Sequence, residues 1–97
     1  MTNKAILEGK KLMKNNQFER GLVIFSECTQ RDPNSLEAQY LLGVCAFHLE
    51  HYDQAIKYFN ELLNQEPQYR KNAYLFLAIS FKKKQLNEDA LLLVNIS

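Results

Sequence analysis

The sequence has no tryptophan and only two cysteines, two prolines and three glycines in 97 residues. Each scarcity excludes something. Cys28 and Cys45 alone cannot form the disulfide framework of a small secreted domain. So few prolines and glycines exclude collagen-like and proline-rich disordered chains, and leave a multi-stranded β fold short of turn residues. No run approaches the roughly 20 apolar residues of a membrane-spanning helix. No basic start leads into an apolar stretch with a small-residue cleavage site, so no secretory signal is read. The expected setting is cytoplasmic and reducing. Phosphate loops of the type G-x-x-x-x-G-K are absent, as are G-x-S-x-G and H-E-x-x-H. Neither an enzyme nor a cofactor is expected.

Charge of one sign is also lacking: the formal net charge is +1. A general polyanion binder carries more, so nucleic acid is disfavoured as a partner. The charge is unevenly placed. Residues 1–20 hold five cations against two carboxylates, residues 21–69 two against seven, and residues 70–97 five against two. The ends are basic and the middle is acidic.

What is present is a repeat. Pro33 and Pro67 lie 34 residues apart, as do Gly9 and Gly43, Phe18 and Tyr52, Leu22 and Ile56, and Phe25 and Phe59. Gly21 meets Ala55 at the same offset. A third copy follows with one extra residue: Leu42-Gly43-Val44 realigns with Leu77-Ala78-Ile79, and Ala55 with Ala90, at an offset of 35. Apolar spacing within each copy is helical. Tyr40, Gly43, Val44 and Phe47 follow the i, i+3, i+4, i+7 pattern. Breakers fall at Asn15-Asn16-Gln17, Asp32-Pro33-Asn34-Ser35 and Glu66-Pro67-Gln68. Asn34 with Glu37 three residues on reads as a capping box. The pattern predicts an all-α chain of six helices, at about 2–15, 18–31, 35–49, 53–66, 70–84 and 87–97. They pair into three antiparallel hairpins within one domain spanning 1–97. Its repeats run over about 2–35, 36–69 and 70–97, the third incomplete. The contacts Gly9 with Gly21, Gly43 with Ala55 and Ala78 with Ala90 are expected to bring paired backbones close.

These residues resemble the tetratricopeptide repeat family, whose 34-residue unit is a helix–turn–helix. Copy two carries the pattern in Leu42, Gly43, Tyr52, Ala55, Phe59 and Pro67, and copy one in Gly9, Leu12, Phe18, Gly21, Phe25 and Pro33. Copy three carries Leu77, Ala78, Phe81 and Ala90, with Asn87 at the aromatic position. The resemblance implies a short right-handed α-solenoid that binds other proteins, with the first helix of each unit lining the concave side.

On that side copy one is expected to offer Ile6, Lys10, Met13 and Lys14. Copy two offers Tyr40, Val44, Phe47 and His48, and copy three Leu75, Ile79, Lys82 and Lys83. An apolar centre with lysines at its edge suits a partner peptide or helix with apolar anchors and some acidic residues. Packing between neighbouring helices explains Tyr40, Val44 and Phe47 equally well. Some family members clamp the acidic tails of heat-shock chaperones. The positions corresponding to that clamp here are Ile6, Lys10, Leu41, Asn72 and Phe76, which disfavours such capture.

Cys45, His48 and His51 are spaced by threes, but a structural zinc site needs four ligands, and no metal is expected. The C-terminal Leu91, Leu92, Leu93, Val94 and Ile96 leave almost no polar face. That end is expected to be an interface, through a homo-oligomer, a domain swap, or a self-assembling or obligate complex.

Overall fold

The computed structural model describes the backbone from Thr2 to Ile96 and the side chains from Asn3 to Leu91. Five helices follow one another: α1 (Thr2–Lys14), α2 (Phe18–Arg31), α3 (Leu36–His48), α4 (Tyr52–Gln65) and α5 (Lys71–Ile96). No strand occurs among the described residues. α1 and α2 form one hairpin and α3 and α4 a second. α5 packs on α4 and touches α3.

The two hairpin turns are built alike. In the first, Gln17 N–H donates to the Leu12 carbonyl at 2.8 Å and Asn16 N–H to the Met13 carbonyl at 3.0 Å. In the second, His51 N–H donates to Ala46 at 2.9 Å and Glu50 N–H to Phe47 at 3.0 Å. This is the Schellman arrangement, which satisfies the last helical carbonyls and requires a left-handed residue. Asn16 (φ 60°) and Glu50 (φ 63°) take that role. The helix start at α3 differs from the sequence expectation by one residue. The cap is Ser35, whose side chain accepts from the Ala38 N–H at 3.3 Å, while Asp32 accepts from the Asn34 N–H. Asn34 therefore sits inside the preceding turn and caps nothing.

Each hairpin closes around a glycine beneath an aromatic ring. A Cβ at Gly9 would stand 2.5 Å from Phe25 Cζ, and one at Gly43 2.8 Å from Phe59 Cζ. Phe25 and Phe59 are both fully buried. The expected contact of Gly9 with Gly21 is present, since a Cβ at Gly21 would lie 3.7 Å from the Gly9 carbonyl oxygen, and each first-helix glycine also makes room for the ring of the facing helix. Gly21 has a second duty, since a Cβ there would lie 3.3 Å from Cys45 Sγ on the next hairpin.

The third unit keeps its register but not its turn. Ala38 and Ala73 are each 0% exposed, as are Cys45 and Ser80, so α5 docks as α3 does, 35 residues on. Where the first two units turn, α5 continues as helix through Lys84, Gln85 and Leu86 to Ile96. The expected turn at 85–86 and the separate sixth helix are absent, and Ala78 and Ala90 lie on one helix, both exposed. Lys82 to Gln85 are strong helix formers. Asn87 supplies no ring of the kind Phe18 and Tyr52 place at the start of α2 and α4. Lys84 also pairs with Asp53 of α4 at 2.7 Å, which holds the helix across the turn position.

Candidate protein-binding face

The first helices of successive units are tied side by side. Lys10 of α1 pairs with Glu37 of α3. Phe47 of α3 meets Phe76 of α5 edge-on, with ring centroids 5.0 Å apart. Aromatic rings fill the junction of α3, α4 and α5. Phe76 lies parallel to Phe59 at 5.6 Å and edge-on to Tyr40 at 6.2 Å, and Tyr40 also meets Phe59 and Tyr69. The Arg70 guanidinium stands 4.9 Å above the Tyr40 ring and 5.4 Å above that of Tyr69, a geometry that favours the cation over the ring face.

The sequence-derived face divides under this packing. Ile6, Tyr40 and Val44 are buried between helices of the chain itself, at 5%, 6% and 6% exposure, which corrects the expectation that they face a partner. Met13, Phe47 and Ile79 are half-buried, and Leu75 is 57% exposed. Lys14, Lys82 and Lys83 are exposed; Lys10 is exposed but engaged with Glu37. His48 is exposed and stacks on Phe18, centroids 4.4 Å apart, so it lies beside the α1–α2 turn. Leu91 is 63% exposed, and the side chains of Leu92, Leu93, Val94 and Ile96 lie outside the described residues.

Phe76, Tyr69 and Arg70 were not foreseen as one cluster with Tyr40. The signal lay in the 35-residue offset, which maps Phe76 onto Leu41, a buried first-helix position. Polar groups inside the fold are satisfied locally. Gln39 Nε2 donates to the Tyr58 carbonyl at 3.3 Å, and Ser80 Oγ donates to the Phe76 carbonyl at 2.7 Å.

Both cysteines are free and buried. Burial pushes the Cys45 thiol up to about 12, and burial foremost also raises that of Cys28. Neither is a poised nucleophile, because the thiolate is the reactive form. Among the described residues no three His, Cys, Asp or Glu side chains gather as a metal site. No helix among them is long and apolar enough to cross a membrane.

Paired helices in 34-residue units, each closed by a glycine under a ring, define a helical repeat protein. The sequence profile of the tetratricopeptide repeat matches residues 12–79, and the chain belongs to that family. Repeats of this family mediate protein–protein interaction and are typically non-enzymatic. No curated protein matches this sequence.

Proposed function

We propose that the chain is an adaptor that holds an extended or helical segment of another protein along the face shared by α1, α3 and α5. The carrying observation is that Met13, Phe47, Leu75 and Ile79 of these three helices are apolar and at least partly exposed, and that Lys14, Lys82 and Lys83 of the same helices are exposed. Apolar anchors surrounded by a charged rim are the usual anatomy of a peptide-binding surface. The lysines select acidic residues beside the anchors and raise the association rate more than the final affinity. Terminal-carboxylate capture is not part of this reading, because Ile6, Leu41 and Phe76 are apolar positions given to packing. Two buried free cysteines suit a reducing, cytoplasmic setting.

Selection from a random peptide display library on the immobilised chain tests the proposal. Peptides with spaced apolar residues and nearby Asp or Glu are expected to enrich. Binding should fall about tenfold or more in Ile79→Glu, and should weaken with added salt in the parent but not in Lys82→Glu/Lys83→Glu. Enriched peptides that bind both variants as they bind the parent would refute the face.

A further inference from the structure

α2 and α4 both pack on α3 and leave a groove between them, with Leu42 of α3 as its floor, 4% exposed. The groove has two sections of about 440 and 280 Å³, which share Leu42 and Tyr58. One wall carries Leu22, Val23 and Glu27 of α2, the other Tyr58 and Glu61 of α4. Val23 is 57% exposed although apolar, and Leu22 and Tyr58 are half-buried. From Gln54 to Gln65, eleven steps along α4, the groove is about 16 Å long, the span of about five extended residues.

The charges along it follow from the repeat. α2 and α4 are counterparts 34 residues apart, so each position can be compared with its equivalent. Glu27 and Glu61 are such a pair, and both line the groove, one on each wall. The cations of these helices are not repeated. Arg20 and Arg31 have Gln54 and Gln65 as counterparts, and Lys57 has Val23. In all three cases the uncharged member lines the groove and the cation does not. Glu27 and Glu61 are exposed and stand outside the two ion pairs of the described residues, Lys10–Glu37 and Lys84–Asp53. Arg31 and Lys57 lie one turn from them on the same helices and pair with neither, and exposed pairs at that spacing are weak enough to yield to a ligand's cation. The groove is thus apolar at its floor and negative on both walls. Such a surface repels phosphate and carboxylate ligands and attracts cations, while the floor rewards only a cation that brings apolar surface with it.

We propose that this groove holds an extended segment of another protein in which Lys or Arg residues flank an apolar anchor. The anchor lies on Leu42 and Tyr58, where the two sections meet, and the cations reach Glu27 on one wall and Glu61 on the other. The site belongs to the second helices, whereas the peptide face proposed above belongs to α1, α3 and α5 and selects acidic segments. The two surfaces therefore select opposite charge and can be filled at once.

Titration of the isotope-labelled full chain with three octapeptides, each placing Leu, Phe or Trp between two Lys-Arg pairs, tests the groove by amide chemical shifts and fluorescence anisotropy. At least one is expected to bind with a dissociation constant below about 1 mM and to shift the amides of residues 22–33 and 54–65 rather than those of α5. Glu27→Lys/Glu61→Lys should weaken that binding about tenfold or more and flatten its salt dependence, with an unchanged thermal transition, because both side chains are exposed. Val23→Ser should weaken it several-fold through the wall alone. The same peptides with Asp-Glu in place of Lys-Arg should leave the groove amides unmoved in the parent. No binding by any of the three, shifts confined to other helices, or affinity indifferent to Glu27→Lys/Glu61→Lys would overturn the proposal. Spermidine bound as tightly as the peptides would also overturn it, since the apolar floor would then select nothing. Loss of basic-peptide binding in the Glu27→Lys/Glu61→Lys chain leaves Ile79 and Lys82 intact, so this result is read separately from that of the acidic-peptide face.

Discussion

At the residue scale the three glycines are not equivalent. Alanine at Gly9 or Gly43 drives a methyl group into a fully buried ring at 2.5 or 2.8 Å. Overpacking of that kind costs about 1–3 kcal/mol, more than the roughly 1 kcal/mol that alanine gains over glycine within a helix. Gly21→Ala meets nothing closer than Cys45 Sγ, at 3.3 Å. Urea titration is expected to show Gly9→Ala and Gly43→Ala destabilised and Gly21→Ala within about 1 kcal/mol of the parent. Cys45 makes a prediction about pH. Its thiol is held at about 12 in the fold against 9.0 unfolded, so between those values the native state binds the extra proton. Stability is complete below about pH 9 and falls as pH rises through the interval. Cys45→Ala, compared with the parent by urea titration at pH 8 and pH 10.5 (about those values), should show the shallower loss. Equal slopes would mean that the thiol is not desolvated.

At the element scale the contrast lies between two turns that form and one that does not. Asn16 and Glu50 both accept a left-handed backbone, which Asn tolerates better than Glu. Glu50→Gly relieves the second turn and is expected to stabilise the chain by about 0.5–1 kcal/mol in thermal or urea unfolding. The equivalent stretch of α5 has no such residue to relieve. Proline at Gln85 removes a helical N–H and clashes with the preceding turn, which breaks a helix. Gln85→Pro is expected to lower the far-UV helical signal by roughly the share of residues beyond it, while the urea midpoint of the hairpins barely moves. A large fall in that midpoint would mean that the distal half of α5 is packed within its own chain.

Helix positions and the hairpin pairing were legible at this scale because periodicity and breakers are local properties. α1 begins at Thr2 and α2 runs from Phe18 to Arg31 where the spacing put them, and the other early boundaries moved by one residue. The third turn was misjudged for a physical reason. Ala90 repeats Ala55 in sequence, but a repeat signature does not bend a helix. The bend needs a residue willing to leave the helical backbone and a ring to seal the corner, and Lys84, Gln85 and Asn87 supply neither.

At the scale of the whole molecule, the junction of α3, α4 and α5 holds the last unit to the rest. Phe76 touches Tyr40, Phe47 and Phe59 there. Phe76→Ala removes those contacts, and for a half-buried phenylalanine the cost is expected near about 3 kcal/mol, the lower end of the range for buried rings. Hydrogen exchange should show α5 losing protection while α1 and α2 keep theirs; uniform loss would mean that the chain unfolds as a single unit. By contrast, the exposed Lys10–Glu37 pair between α1 and α3 is worth at most about 1 kcal/mol, and its removal should scarcely register.

The sequence by itself determined the family, the helical class and the 34-residue register of the first two units. Each of these follows from residue type and spacing along one chain. Only the tertiary structure decided which apolar side chains are spent. Ile6, Tyr40 and Val44 have the same spacing and polarity as Leu75 and Ile79, yet the first three are buried because another helix lies against them. Whether a side chain is covered depends on the next helix in space, and among the described residues no later helix lies against α5 as α5 lies against Tyr40 and Phe47 of α3.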